Sequence, residues 1–206
     1  MGSHYAFEFL RENTIAKVVN GYMRNLFLFN MITLDGFFEG PERDINWHTV
    51  DDEFDEFAVA QLNSVDTLLF GRVTYELMAS YWPTPSAIED DPLVAGRMNE
   101  VKKIVVSHTL EKADWLHTQI IRENVGEFVA HLKQGQGRDI AIFGSARLAT
   151  SLLPLGLIDE LRLIVSPIIL GNGTPLFQGV EGRVDLDLVS TRTFRNGNVL
   201  LVYRLR

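Results

Sequence analysis

The sequence of 206 residues contains no cysteine. Disulfides, thiolate-bound zinc and a cysteine nucleophile are therefore excluded, and the composition suits a reducing, cytoplasmic setting. No apolar run approaches the roughly 20 residues that cross a bilayer, and Glu8, Arg11, Glu12 and Lys17 interrupt the stretch where an export signal needs an unbroken apolar core. No membrane association is expected. Positive charge is also scarce: 19 Lys+Arg stand against 27 Asp+Glu, a formal net charge of −8, with no basic block to follow a phosphate backbone. Nucleic acid is not an expected partner. The five histidines never pair at metal-ligand spacing, so no metal site is expected. G-x-x-x-x-G-K-[ST] and G-x-S-x-G are absent, and the nearest approach to G-x-G-x-x-G, GNGTPL at 171–176, has Leu176 in place of the third glycine. A P-loop, a nucleophile elbow and a standard Rossmann fingerprint all fail.

What is present is apolar matter, 46% of residues, enough for one sizeable core. MGSH at the start reads as vector-derived, so residues 1–22 are taken as an N-terminal extension and 23–206 as the domain, with Met23-Arg24-Asn25 as a natural start. LFLFNMIT, ending at Thr33, is apolar nearly throughout, as in a strand covered on both faces. Over 51–65 the period changes: Phe54, Phe57, Ala58, Leu62 and Val65 recur at helical spacing. Strands follow at Thr67–Phe70, Lys103–Ser107, Thr118–Ile121 and Asp139–Phe143, and helices at Arg72–Ser80, Asn124–Leu132 and Ala146–Leu153. An acidic, proline-containing loop is expected after Trp82-Pro83, through Asp90-Asp91-Pro92. Glu160–Leu170 reads as a long strand interrupted at Pro167, and Val184–Arg195 and Val199–Arg206 flank the hairpin signal Asn196-Gly197-Asn198. The alternation predicts an α/β fold with a mainly parallel central sheet and an antiparallel C-terminal hairpin.

Ligands of such sheets bind beyond the carboxyl ends of the strands. LLFGRVTYE, 68–76, has the matching layout: Gly71 lets a ligand approach the backbone, the following helical turn offers free N–H groups, and Arg72 and Thr74 can donate to phosphate oxygens. The plain alternative is a tight turn beside a solvated arginine. IAIFGSARLATSLL, 140–153, repeats the layout with Gly144-Ser145, and two such turns point at a dinucleotide. IVVSHTL brings Ser107 to a third strand end, as a phosphate or ribose contact or as an ordinary turn residue.

TLDGF (33–37), LLFGRVTYE, KIVVS (103–107), IAIFGSARL (140–148) and LIDELRLIVSPIILGNGTPLF (157–177) come in an order that resembles the dihydrofolate reductase-like superfamily. Within it the chain is most similar to stand-alone relatives of the C-terminal reductase domain of bacterial riboflavin biosynthesis, the RibD C-terminal domain family. The resemblance covers nearly all of 23–206. It implies a three-layer, NADPH-binding reductase fold, usually dimeric. It also places Gly71, Arg72 and Thr74 against cofactor phosphates, Ser107 near the adenosine 2′-phosphate, and Gly144, Ser145, Ala146 and Arg147 in a second phosphate turn with Leu148 close behind. Asp35 would then face the nicotinamide or substrate pocket.

The hydride of such an enzyme belongs to its cofactor, so the protein must align the partners and supply a proton. Candidate acids are Asp35 and the run Asp51-Asp52-Glu53. Helical phase turns Asp51 toward the sheet and Asp52 away, whereas the spacing from Trp47 in true dihydrofolate reductases selects Asp52; either residue could instead cap the helix. Trp47 and Trp82 are candidate pocket walls for a planar heterocycle, or plain core residues. The family's riboflavin substrate is 5-amino-6-(5-phosphoribosylamino)uracil. Its reduction is not the expected role here, because Phe37-Phe38 follow the first-strand motif, no deaminase sequence is present, and no second basic cluster awaits a substrate phosphate. The expected activity is NADPH-dependent reduction of a pteridine- or pyrimidine-like heterocycle or a related C=N or C=O compound. A non-catalytic nucleotide-binding protein and an interaction protein using the acidic helix and hairpin are the alternatives.

Overall fold

A computed structural model describes residues 23–206, and the extension proposed for 1–22 lies outside the described residues. At the centre is β1 (Leu26–Thr33), whose side chains are apolar toward both faces. Leu26 and Leu28 look to one side, where α5 (Val125–Gln134) and α6 (Ala146–Leu152) cover them; Phe27 and Met31 look to the other, toward α1 (Asp52–Ser64). A strand sandwiched in this way has no polar face to show, which is why the sequence reads as a continuous apolar run.

Around it lie β3 (Val65–Gly71), β4 (Lys102–Val106), β5 (Thr118–Ile121), β6 (Asp139–Phe143), β7 (Glu160–Ser166), β9 (Leu186–Thr193) and β10 (Val199–Leu205). They form one sheet in the order β5-β4-β3-β6-β1-β7-β10-β9, parallel from β5 to β7 and antiparallel across β7-β10-β9. A small second ladder pairs β2 (Phe37–Glu39) with β8 (Thr174–Pro175). The expected architecture is the observed one. Because β6 inserts between β1 and β3, the carboxyl ends of three strands distant in sequence open side by side.

Two segments differ from expectation. The loop expected after Trp82 is instead two helices, α3 (Pro85–Asp90) and α4 (Pro92–Glu100), which follow α2 (Arg72–Tyr81). Each starts on a proline, which suits a first helical position, and each is capped from the residue before: Thr84 Oγ1 accepts from the Ala87 N–H at 3.2 Å and Asp91 Oδ1 from the Val94 N–H at 3.0 Å. The long strand over Glu160–Leu170 stops at Ser166, where the chain turns so that Ile168 O accepts from the Leu34 N–H at 2.8 Å.

Lys103, wholly buried at the base of β4, ties this face together. Its Nζ donates to the carbonyls of Met98 (2.8 Å), Asn99 (3.0 Å) and Val101 (2.8 Å), the exposed end of α4's hydrogen-bond ladder, and sits 4.4 Å from the Trp115 ring centroid. Burial pushes the ammonium down to about 8, still protonated at neutral pH. Lys103→Met removes the ammonium and strands the carbonyls of Met98, Asn99 and Val101, so urea denaturation at pH 7 should show a loss of about 2–4 kcal/mol. A change below about 0.5 kcal/mol would mean that those carbonyls find other partners.

Candidate active site

The two glycine turns meet. Gly71 ends β3 and Gly144 follows β6, and these neighbouring strands are in register through Leu69 and Ile142. The Gly71 N–H donates to Ser145 Oγ at 2.8 Å, and the Ser145 N–H donates to Thr74 Oγ1 at 3.1 Å. Ser145 thus precedes α6 yet spends its hydroxyl on the start of α2. Gly144 (φ +60) donates its N–H to Phe29 O at 3.1 Å, and a Cβ there would stand 3.1 Å from Thr74 Cγ2, so glycine is what lets the turns close on each other. Ser145 itself holds φ +56, a left-handed conformation that costs a non-glycine residue about 1 kcal/mol or more. No side chain caps the first turn of α2, whose N–H groups open at the strand edge.

Arg72 extends from that turn, half-exposed, and its Nη1 donates to both carboxylate oxygens of Glu76 at 3.0 and 2.8 Å. An exposed pair of this kind contributes little stability, so the guanidinium can exchange partners readily. Arg147 is exposed on the second turn, whereas Ala146 and Leu148 are buried in the core and can offer a ligand only their backbone. Ser107 is buried as well; its Oγ accepts from the N–H groups of Thr109 (3.1 Å) and Leu110 (2.9 Å), the arrangement of a plain turn, which leaves only its hydroxyl hydrogen to give.

Beside the turns, on the α1 side of the sheet, lies a group of aromatic rings. Phe29, although in the central strand, is only half-buried; its ring centroid is 5.3 Å from Phe143 and 6.0 Å from Phe57, and Phe57 meets Phe194 at 5.6 Å. Phe29 thus leaves part of its ring uncovered over β1 and β6. Trp47 packs with the neighbouring cluster of Met31, Phe194 and Phe57, its Nε1 donating to Asp44 O at 3.2 Å. Trp82 belongs to a different cluster with Tyr75 and Trp115, and its carbonyl accepts from Asn99 Nδ2 at 2.9 Å. The two tryptophans therefore do not pack together as walls of a single pocket.

The carboxylates are largely committed to the fold. Asp35 accepts from the Thr33 hydroxyl at 2.6 Å and from the N–H groups of Gly171 (2.8 Å) and Leu170 (3.3 Å). The Thr33 hydrogen bond leads in holding its carboxyl below the usual range, so Asp35 is an anchored anion at neutral pH, a poor fit to the expected proton donor. Asp51 is the N-cap of α1, Oδ1 accepting from the Phe54 N–H at 3.0 Å, while Asp52 is exposed. Glu53 accepts from Arg195 N–H (2.9 Å) and Arg192 Nη2 (3.0 Å), which docks α1 on the hairpin and holds its carboxyl low. Asp55 runs the other way: burial, then the charges of Asp91, Asp52 and Asp51, push its carboxyl up. Sequence reasoning missed Asp55 and the ring group Phe29, Phe57 and Phe143. The aromatics were visible only as core spacing, and the charge of Asp91 reaches Asp55 through a helix contact that no local pattern records.

This sheet order, with paired glycine turns at the carboxyl ends of its strands, defines a protein of the dihydrofolate reductase-like fold class. The chain matches the RibD C-terminal domain over residues 24–200 and belongs to that family. It is 37% identical over 182 residues to the uncharacterized protein YyaP of Bacillus subtilis (strain 168), covering 87% of this chain and 94% of that protein. Among solved structures it is similar to a putative riboflavin biosynthesis protein from Shewanella sp. PV-4, at 20% identity and a TM-score of 0.68, over 88% of this chain and 99% of the other. The deaminase/5-amino-6-(5-phosphoribosylamino)uracil reductase of Thermotoga maritima superposes at 15% identity and 0.64, covering 89% of this chain and 57% of the other. Dihydrofolate reductase from Enterococcus faecalis, complexed with NADP(H), does so at 15% identity and 0.59, covering 90% and 98%.

The loop leading into α1 carries a titratable group. His48 packs edge-on against Trp47, ring centroids 4.4 Å apart, and its Nε2 is buried with no hydrogen-bond partner. Burial pushes the imidazole down to about 4, with Asp44 opposing. The folded pKa lies below the unfolded one, so His48 imposes no penalty above about pH 6.5, and stability falls as pH drops from there toward 4 because the unfolded chain takes up a proton that the folded chain refuses. Comparing urea midpoints at pH 7.5 and 5, His48→Phe should lose less stability than the parent; equal losses would show that the imidazole titrates freely in the fold.

Proposed function

We propose that this protein is an NADPH-dependent reductase of a small planar heterocycle, pteridine- or pyrimidine-like, or of a related C=N or C=O compound. The observation that carries the reading is the joining of the two glycine turns by reciprocal hydrogen bonds beside a group of aromatic rings. The donor set fits a dinucleotide diphosphate: the N–H groups at the start of α2, the Ala146 N–H that follows the second turn, and the guanidiniums of Arg72 and Arg147. Ser107 is assigned to the adenosine 2′-phosphate, on the family resemblance. NADPH, when bound, supplies a hydride. The chain's own work is to hold the donor at the strand edge, to keep the acceptor ring flat among Phe29, Phe57 and Phe143, and to exclude water from the space between them.

Asp51, at the sheet-facing start of α1, is assigned to orienting or protonating the acceptor, with the raised carboxyl of Asp55 one turn further on as the proton reserve. Asp35 binds the 168–171 segment to the end of β1. Arg192 and Arg195 share the one carboxylate of Glu53 beside the ring group, and the lack of a second basic cluster in the sequence for a substrate phosphate favours an acceptor without a ribosyl phosphate over the riboflavin intermediate. Assembly as a cytoplasmic homodimer belongs to the same reading, on the family resemblance and the cysteine-free composition. The hydrogen-bonded state of Asp35, Asp51 and Glu53 favours a second reading, a nucleotide-binding protein without turnover, and loss of 340 nm absorbance from bound cofactor on addition of any acceptor decides between them.

Isothermal titration should show NADPH binding more tightly than NADH, and Arg72→Ala should weaken NADPH by about 1.5–3 kcal/mol, roughly 10- to 150-fold. Unchanged affinity would remove Arg72 from the phosphate site. Asn caps helices as well as Asp, so Asp51→Asn leaves α1 intact and should lower kcat at neutral pH while sparing cofactor affinity. Full turnover in that variant would leave Asp51 as a helix cap alone.

A further inference from the structure

β10 is apolar toward both faces of the sheet, and only one of those faces is covered. Leu200 and Val202 point to the α1 side, where they are 7% and 6% exposed in the cluster with Met31 and Phe194. Their neighbours Val199, Leu201 and Tyr203 point to the side of α5 and α6 and are only half-buried. Register extends that second face across two more strands: Leu201 lies between Leu163 of β7 and Thr191 of β9, and Tyr203 between Leu161 and Leu188. On β7 the face is closed, with Leu161 and Leu163 in the cluster that α5 and α6 share. Cover thins outward, until Leu188 on the edge strand is 57% exposed.

The charges of these strands are sorted the opposite way. Glu160, Arg162, Arg204, Asp187 and Arg192 are all of them, and each belongs to the alternate set of register partners, on the α1 side. Leucine, valine, threonine and one tyrosine are what the outer face shows. The strands run 7, 7 and 8 residues, so the face measures roughly 25 Å along the strands and 10–15 Å across them, comparable to one inner face of a two-sheet sandwich. An open apolar face of that size marks a contact surface.

We propose that a second copy of this chain covers the α6-side face of β7, β10 and β9, the two faces packing against each other about a two-fold axis. Such an axis sets a surface against itself, so any charge near the axis meets its own like. Two copies of a chain with net charge −8 repel each other over most orientations, and this face is where no like charges are brought together. A foreign partner is selected largely by complementary charge, and the face offers none to read. The proposal rests on the homodimer in the reading above and adds the surface that makes it.

The test is the mass in solution, by light scattering at micromolar concentration, of the full chain and of Leu188→Lys, Leu201→Lys and Leu93→Lys. Leu93, on α4, is 67% exposed and away from this face, so it controls for the added charge. The parent and Leu93→Lys should run at twice 23.3 kDa. Leu188→Lys and Leu201→Lys should weaken the dimer roughly 100-fold or more, because each buries two unpaired ammonium groups per dimer, and their masses should fall toward 23.3 kDa with far-UV circular dichroism unchanged. Leu188 is exposed in the single chain, so its variant carries the test even where Leu201→Lys fails to fold. A parent dimer that both variants leave intact, or that Leu93→Lys breaks instead, overturns this surface and keeps the homodimer. A parent of 23.3 kDa rejects the homodimer itself and the surface with it, and residues 1–22 become the candidate cover.

Discussion

Two hydrogen bonds between turns more than seventy residues apart, Gly71 N–H to Ser145 Oγ and Ser145 N–H to Thr74 Oγ1, determine what the open end of this sheet can be. Parallel strands place their carboxyl ends together, but adjacency alone leaves two independent loops. The reciprocal bonds convert them into one rigid rim. They need a residue in the left-handed region at 145 and a residue without Cβ at 144, both unfavourable choices in isolation, held there by the packing of α6 beneath. With the Ser145 hydroxyl given to the Gly71 N–H, the N-cap residues of α2 and α6 make no side-chain cap to their own helices.

The carboxylates follow from the same constraint. A rim rich in backbone N–H groups attracts anions, and a free carboxylate close by would compete with a ligand's phosphates. The acids near the strand ends are instead turned into the framework: Asp35 holds the 168–171 segment, Asp51 caps α1, and Glu53 grips the hairpin. The protein is acidic overall, so any attraction for a dinucleotide arises locally, from helix ends and two arginines, and not from a field spread over the surface.

The parallel strands and their turns were legible because their signals are local: apolar runs ending in glycine, then helical periodicity. Helices α3 and α4 were not, because proline and acids in Thr84-Pro85 and Asp91-Pro92 look the same in a loop as in a capped first turn, and only the hydrogen bonds to Ala87 and Val94 separate the two. Lys103 was visible as the start of a strand but not as a buried cation, since its acceptors are carbonyls at the end of a helix that had not been recognised. The two glycine turns could be read singly from the sequence; their mutual bonding depends on β6 lying between β1 and β3, a topological fact that no window of residues contains.

The missed helix bears directly on the site. A helix start can present its N–H groups to a ligand only if the whole helix is aimed, and α2 is held at both ends. Its first turn is tied to Ser145, and at its far end the Trp82 carbonyl accepts from Asn99, a residue of α4 whose Oδ1 also takes the Trp115 indole N–H at 2.7 Å. Lys103 gathers the carbonyls of Met98, Asn99 and Val101 and stacks under the same indole, while Tyr75, on α2 itself, accepts the Trp115 backbone N–H at 3.2 Å. The buried ammonium thus lies far from any ligand along the chain of contacts, yet it fixes the end of α4 against which α2 is braced. Loosening that network would let α2 pivot about its tie to Ser145, and with it the open N–H groups that the rim depends on. Stability at the base of β4 and ligand geometry at the top of β3 are two readings of one packed column of side chains.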